Sequence, residues 1–169
     1  MSSDLTPAVV AFGANLGDRA ATIQAAADDL AATEGIELVT LAPPIETSAV
    51  RPYGVDREAP PYLNTVAVIR TSLAPDELHA VLRALEDAHG RVRTERWGDR
   101  TLDLDLIVYG DLQQDDPALT LPHPRAHERD FVLRPWLTAD PHAELPGRGR
   151  VDELLEALGT GHELGGGAA

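Results

Sequence analysis

The sequence contains neither cysteine nor lysine among its 169 residues. The absence of cysteine excludes disulfides, thiolate nucleophiles, iron–sulfur clusters and Cys-containing zinc sites. The absence of lysine excludes a Walker lysine, a Schiff base and pyridoxal phosphate chemistry carried by this chain, and all 14 basic residues are arginine. Positive charge is scarce overall: 28 acidic residues against 14 basic give a formal net charge of -14. That field repels nucleic acid and anionic lipid surfaces, so neither is expected as a partner, and a small anionic substrate would need a local cluster of arginines. Long apolar runs are missing too. The run from Ala8 to Phe12 is too short for a signal peptide or a membrane span, and no basic residue precedes Arg19, so a cytoplasmic protein is expected.

What is present is an ordinary globular composition, 43% hydrophobic and 25% charged, in a chain of single-domain length. One domain over residues 1–160 is expected, followed by a disordered tail over 161–169 that ends GGGAA. Apolar runs bounded by Gly, Pro or polar residues predict strands at Ala8 to Phe12, Ile36 to Leu41, Leu63 to Thr71 and Leu102 to Tyr109. An Ala-rich helix is predicted over about Arg19 to Thr33. A second helix carries Leu78, Val81, Leu82 and Leu85 at i, i+3, i+4 and i+7, opened by Pro75 and closed by Gly90. A short third helix is expected at about Asp152 to Leu158. Strand-helix-strand-strand-helix-strand is the order of a ferredoxin-like α/β sandwich, an α+β fold whose antiparallel sheet carries helices on one face and leaves the other open for a site.

Two connections stand out. Residues Ala42 to Tyr62 join the second and third strands without helical periodicity and hold five prolines, a length typical of an active-site lid. Residues Gly90 to Arg100 hold Arg91, Arg93, Arg96 and Arg100, the positive cluster that the net charge calls for. The strand that follows reads TLDLDLIVY. Alternation sends Leu102, Leu104, Leu106 and Val108 to one face and Asp103 and Asp105 to the other, about 6.6 Å apart along the backbone. Aspartate is unfavourable in strands, and two like charges on one face repel unless a counter-ion sits between them. Oxygen-only ligands favour magnesium.

Magnesium together with guanidinium groups points to a nucleotide polyphosphate and to phosphoryl-type transfer, in which the protein positions reactants and stabilises charge. The segment LTLPHPRAHERDF, Leu119 to Phe131, adds His123, His127 and Phe131, with Arg125 and Arg129 extending the positive surface. His123 and His127 lie at zinc-ligand spacing for a helix, but Pro124 disfavours helix at His123 and no third ligand is evident, so hydrogen bonding to phosphate or ribose is the expected role. Two rival readings share these residues: a magnesium-dependent nucleotide hydrolase, and a catalytically silent nucleotide-binding protein of the same fold.

Taken together, GANLGDR, PPYLNTVAVIRT, GRVRTERWGDRTLDLDLIVYGD and LTLPHPRAHERDFVL resemble the successive signatures of the 6-hydroxymethyl-7,8-dihydropterin pyrophosphokinases, a folate-pathway family, from Ala8 to about Leu145. The resemblance implies a ferredoxin-like fold, two magnesium ions per site, a monomer, and transfer of the ATP pyrophosphoryl group to the pterin hydroxymethyl group with release of AMP. It implies that Asp103 and Asp105 bind the metal and that Arg91 and Arg100 are catalytic with them. It places Glu86, Arg93, Arg96, Trp97, Leu106, Thr120, His123 and Arg129 where the family contacts ATP. It places Thr47, Tyr62, Asn64 and Phe131 where the family binds pterin. Four positions depart from the family pattern: Asp99 stands where the family has proline in W-G-P-R, Thr94 stands where some members have lysine, Ala14 replaces a frequent serine in the first turn, and the pterin loop is longer around Val50 to Ala59.

Overall fold

The computed structural model describes residues 5–14, 19–47, 50–51, 54–55, 62–89 and 102–158. Strands β1 (Thr6–Ala14), β2 (Ile36–Leu41), β6 (Tyr62–Thr71) and β7 (Asp103–Tyr109) form an antiparallel sheet in the order β2-β6-β1-β7. Helix α1 (Arg19–Ala32) lies between β1 and β2, and α2 (Pro75–His89) between β6 and β7. Both the connectivity and the strand order are those of the ferredoxin-like fold that the periodicity predicts.

The segment between β2 and β6 is not featureless. Strand β3 (Ile45–Thr47) pairs with the start of β6, and β4 (Val50–Arg51) pairs with β5 (Gly54–Val55).

Helix α1 buries Ile23, Ala26, Ala27 and Leu30, one helical stripe, and α2 buries Leu78, Leu82 and Leu85. Pro75 supplies the first helical position of α2, and the Glu77 carboxylate accepts the Ala74 N–H at 2.8 Å, capping a donor the helix cannot satisfy itself. Both helices pack on Ala8, Val10, Phe12, Ala67, Ile69, Leu102, Leu104 and Leu106.

The second face of the sheet departs from the expectation of an open surface. Helix α3 (Asp130–Ala139) packs Val132, Leu133 and Trp136 against Val9, Val66, Ile107 and Val108, and a helix over 151–158 closes the cluster through Val151. Between these helices, β8 (Glu144–Leu145) and β9 (Gly149–Arg150) form a short hairpin. The covering lies over Val66, Ile107 and Val108 and reaches Ala11, while Asp103 and Asp105 stay half-buried.

Val108 therefore does not join the leucines as alternation predicts. Val9 pairs with Val108 while Val10 pairs with Leu106, so Ile107 is an extra residue in a β-bulge. The bulge reverses the parity of the strand, sending both Ile107 and Val108 to the α3 face.

Candidate active site

Asp103 and Asp105 do emerge on one side of β7, opposite the buried Leu104. The register across the sheet sets their neighbours. In one row Ile45 of β3 pairs with Asn64 of β6, Asn64 with Gly13 of β1, and Gly13 with Asp103 of β7. In the next row Val66 pairs with Ala11 and Ala11 with Asp105.

The strand between Asn64 and the acidic pair thus contributes only a hydrogen and a methyl group to this face. A Cβ at Gly13 would lie 3.1 Å from Asn64 Oδ1, so glycine there is what leaves the Asn64 amide room. Two strand spacings separate Asn64 from Asp103, about 10 Å between backbones. That span suits a flat bicyclic ring lying between an amide reader and a charged end.

The segment from Leu119 to Phe131 runs beside β7 and meets it at both Ile107 and Asp105. His123 donates its N–H to the Ile107 carbonyl at 2.8 Å, which ties the segment to the outer edge of β7. Arg129 Nη1 lies 3.7 Å from Asp105 Oδ2, and its guanidinium carbon lies 5.7 Å from the centre of the Phe131 ring. His123 Nδ1 accepts the Arg125 N–H at 3.2 Å. Burial lowers the pKa of His123, and Arg129 and Arg125 lower it further against the opposing pull of Asp105. A neutral ring whose Nδ1 is an acceptor carries its proton on Nε2, which makes His123 a hydrogen-bond donor. The Thr120 hydroxyl donates to the Asp116 carbonyl at 2.9 Å, and Thr120 and His123 line a cavity of about 460 Å³ with Gln113, Leu145 and Arg148.

Not every predicted site residue joins this constellation. The Leu106 side chain is buried among α1 and α2, so only its main chain can meet a ligand. Glu86 is buried on α2 behind β7. Thr47 pairs through its backbone with Tyr62, one strand step from Asn64. Arg91, Arg93, Arg96, Trp97, Asp99 and Arg100 lie outside the described residues, as does the tail. The zinc alternative loses its geometry. His127 lies in a single 3-10 turn, Ala126–Glu128, and His123 lies outside it, so the two histidines do not share a helix face. Among the described residues no group of three or more His, Cys, Asp or Glu is arranged to hold a metal. Two carboxylates are nonetheless what magnesium requires when substrate phosphates complete its shell, and a hard, oxygen-only pair fits that ion.

The family model described as 7,8-dihydro-6-hydroxymethylpterin-pyrophosphokinase (HPPK) matches residues 9–141. The chain belongs to this family. Among its HPPK relatives, the 2-amino-4-hydroxy-6-hydroxymethyldihydropteridine pyrophosphokinase of Mycobacterium leprae is 43% identical over 169 residues, covering 91% of this chain and 84% of that protein. The enzyme of the same name from Synechocystis is 39% identical over 168 residues, covering 94% and 84%. A crystal structure of HPPK-DHPS in complex with substrates matches with a TM-score of 0.72 at 12% identity, covering 94% of this chain and 44% of that one. That likeness speaks to the HPPK fold, and this chain spans less than half the length of that structure. The features of the HPPK site that sequence reasoning missed are the small residues Ala11 and Gly13. Their signal was there, as two side chains of minimal size at alternate positions of a strand, but it needed the β1–β7 pairing to be read.

Proposed function

We propose that this chain catalyses the reaction its family is named for, transfer of the pyrophosphoryl group of ATP to the hydroxymethyl group of 6-hydroxymethyl-7,8-dihydropterin with release of AMP, in folate biosynthesis. The observation that carries the reading is the single sheet face on which Asn64 and the Asp103–Asp105 pair stand on either side of Gly13 and Ala11, with Arg129 beside Asp105. Asp103 and Asp105 would hold magnesium, two ions per site, which when bound neutralises charge on phosphate oxygens.

The rest of the chemistry belongs to the chain. The Asn64 amide has both a donor and an acceptor for the amide-like edge of a pterin, and Tyr62 and Phe131 offer flat apolar faces to its ring. Arg129 and the Nε2–H of His123 bind phosphate oxygens, with Thr120 and the Leu106 main chain completing the nucleotide contacts. Arg91, Arg93, Arg96, Trp97 and Arg100 come from the segment that joins α2 to β7, and Arg91 and Arg100 neutralise the charge that develops on the transferred group. The pterin hydroxyl oxygen attacks the β-phosphorus in line, the bond to the α-phosphate oxygen breaks, AMP leaves with that electron pair, and the hydroxyl proton passes to water. We place the enzyme in the cytoplasm as a monomer; among the described residues no helix is long and apolar enough to cross a membrane.

The test is to combine protein, magnesium, ATP and the hydroxymethyl pterin and identify products by mass spectrometry. AMP and pyrophosphorylated pterin should form in equal amounts. Phosphate or pyrophosphate released from ATP without pterin would make the protein a hydrolase, and binding of both substrates without turnover would make it a silent binder.

A further inference from the structure

Among the described residues β7 is an edge strand, with no strand paired to the main-chain groups on its outer side. Leu104, the residue between the two aspartates, directs its N–H to that side, and the donor is received by Glu86 Oε2 at 2.7 Å. The other oxygen of the same carboxylate accepts Arg83 Nη1 at 2.9 Å. Glu86 is 5% exposed on the inner side of α2, an unfavourable place for a carboxylate unless hydrogen bonds compensate the loss of water. Packing alone would be served by a leucine there, as at Leu82 and Leu85 on the same helix face. Three residues further along the edge, the His123 N–H holds the Ile107 carbonyl at 2.8 Å. The stretch carrying Asp105 is thus pinned at both ends, by a side chain at 104 and by main chain at 107.

We infer that Glu86 is a positioning residue for the acidic pair: by holding the Leu104 N–H it fixes the pleat of the edge strand, so that Asp103 and Asp105 project together on the opposite side. It acts through the strand and not on the metal. The inference rests on the reading of Asp103 and Asp105 as metal ligands. Glutamine keeps an oxygen that can accept the Leu104 N–H, whereas alanine removes it, so E86Q and E86A separate the hydrogen bond from the charge.

Two measurements test this. In metal-free protein, amide hydrogen exchange at Leu104 followed by NMR should be slow in wild type and in E86Q and at least tenfold faster in E86A. Manganese binding in the presence of ATP, read by electron paramagnetic resonance, should weaken about 10- to 100-fold in E86A and stay within a few-fold of wild type in E86Q, the usual scale for loss of a group that orients a metal ligand. E86A that frees the Leu104 amide yet binds manganese like wild type overturns the inference. So does an E86Q protein that keeps the slow Leu104 amide but binds manganese as weakly as E86A, because the carboxylate charge would then act directly. If E86A does not fold, E86Q decides alone: a protected Leu104 amide with manganese binding tenfold weaker sinks the proposal. D105N separates the two levels, since wild-type manganese binding in that variant would mean that the metal assignment has failed and not the role of Glu86.

Discussion

On the face covered by α1 and α2, β7 gives Leu104 and Leu106 to a continuous core that Leu102 joins from just before the strand; on the other face the same strand gives two aspartates at one end and Ile107 and Val108 at the other. The first face is uniform and the second is divided, and the bulge at Ile107 makes the division possible. Unbroken alternation would have sent Val108 to the leucine side and left the α3 cluster without one of its apolar contacts. One inserted residue lets a single strand build two cores and a charged site. The second face thus keeps an apolar half that anchors α3 and a polar half that carries the half-buried acidic pair.

Substitutions should separate these two halves, and the largest effect belongs to the apolar one. Trp136 of α3 is 2% exposed among Val9, Ile107 and Val108, so Trp136→Ala should destabilise the protein by about 3–5 kcal/mol, read as a lower urea midpoint. If α3 merely rests on the sheet, the loss would fall below about 1 kcal/mol. Asp105→Asn should do the opposite. It should leave the urea midpoint nearly unchanged, because that side chain is one-third exposed, and lower pyrophosphoryl transfer by on the order of 100-fold or more through loss of the metal ligand. Wild-type magnesium-dependent turnover in that variant would remove the polar half from the chemistry.

A smaller effect tests the floor between Asn64 and Asp103. Gly13→Ala places a methyl group 3.1 Å from Asn64 Oδ1, tight enough that the amide must shift. One methyl group in a fitted pocket is worth about 10-fold or more, so the KM for the pterin should rise by about that factor while the KM for ATP stays near wild type. Equal changes in both constants would show that Gly13 serves the strand and not the pterin.

How much of this was legible beforehand follows from the kind of pattern each element leaves in the chain. The four main strands and the first two helices announce themselves by period, and the ferredoxin-like order follows from their sequence. Asp103 and Asp105 were legible because charge is out of place in a strand. Helix α3 was hidden by Pro135, which reads as a breaker although it sits buried inside the helix; the cue that survives is the spacing of Val132, Leu133 and Trp136. The bulge left no cue, since Leu106, Ile107 and Val108 are all apolar and any parity of them buries well. Asn64 and Gly13 meet only through the β1–β6 register, a long-range fact that local pattern does not carry.

The smallest predicted effect concerns the joint between the two halves. His123 ties the Leu119–Phe131 segment to the bulge at Ile107, and its ring is held neutral by burial and by Arg129 and Arg125, with its pKa below the ordinary 6.5. Because the folded state resists the proton that the unfolded chain accepts near pH 6.5, the unfolded state binds more protons below that point, and stability must rise with pH across the window. The neutral-ring contribution is therefore complete above the ordinary value and is lost as pH falls through 6.5 toward the folded pKa. His123→Gln removes this titration while every carboxylate remains, so the contributions of the carboxylates cancel in the difference between the two proteins. Urea midpoints compared at about pH 7.5 and about pH 5.5 should fall more for wild type than for His123→Gln. Equal falls would mean that the ring meets water freely at this joint, and that the polar half reaches further along β7 than the hydrogen bond to Ile107 implies.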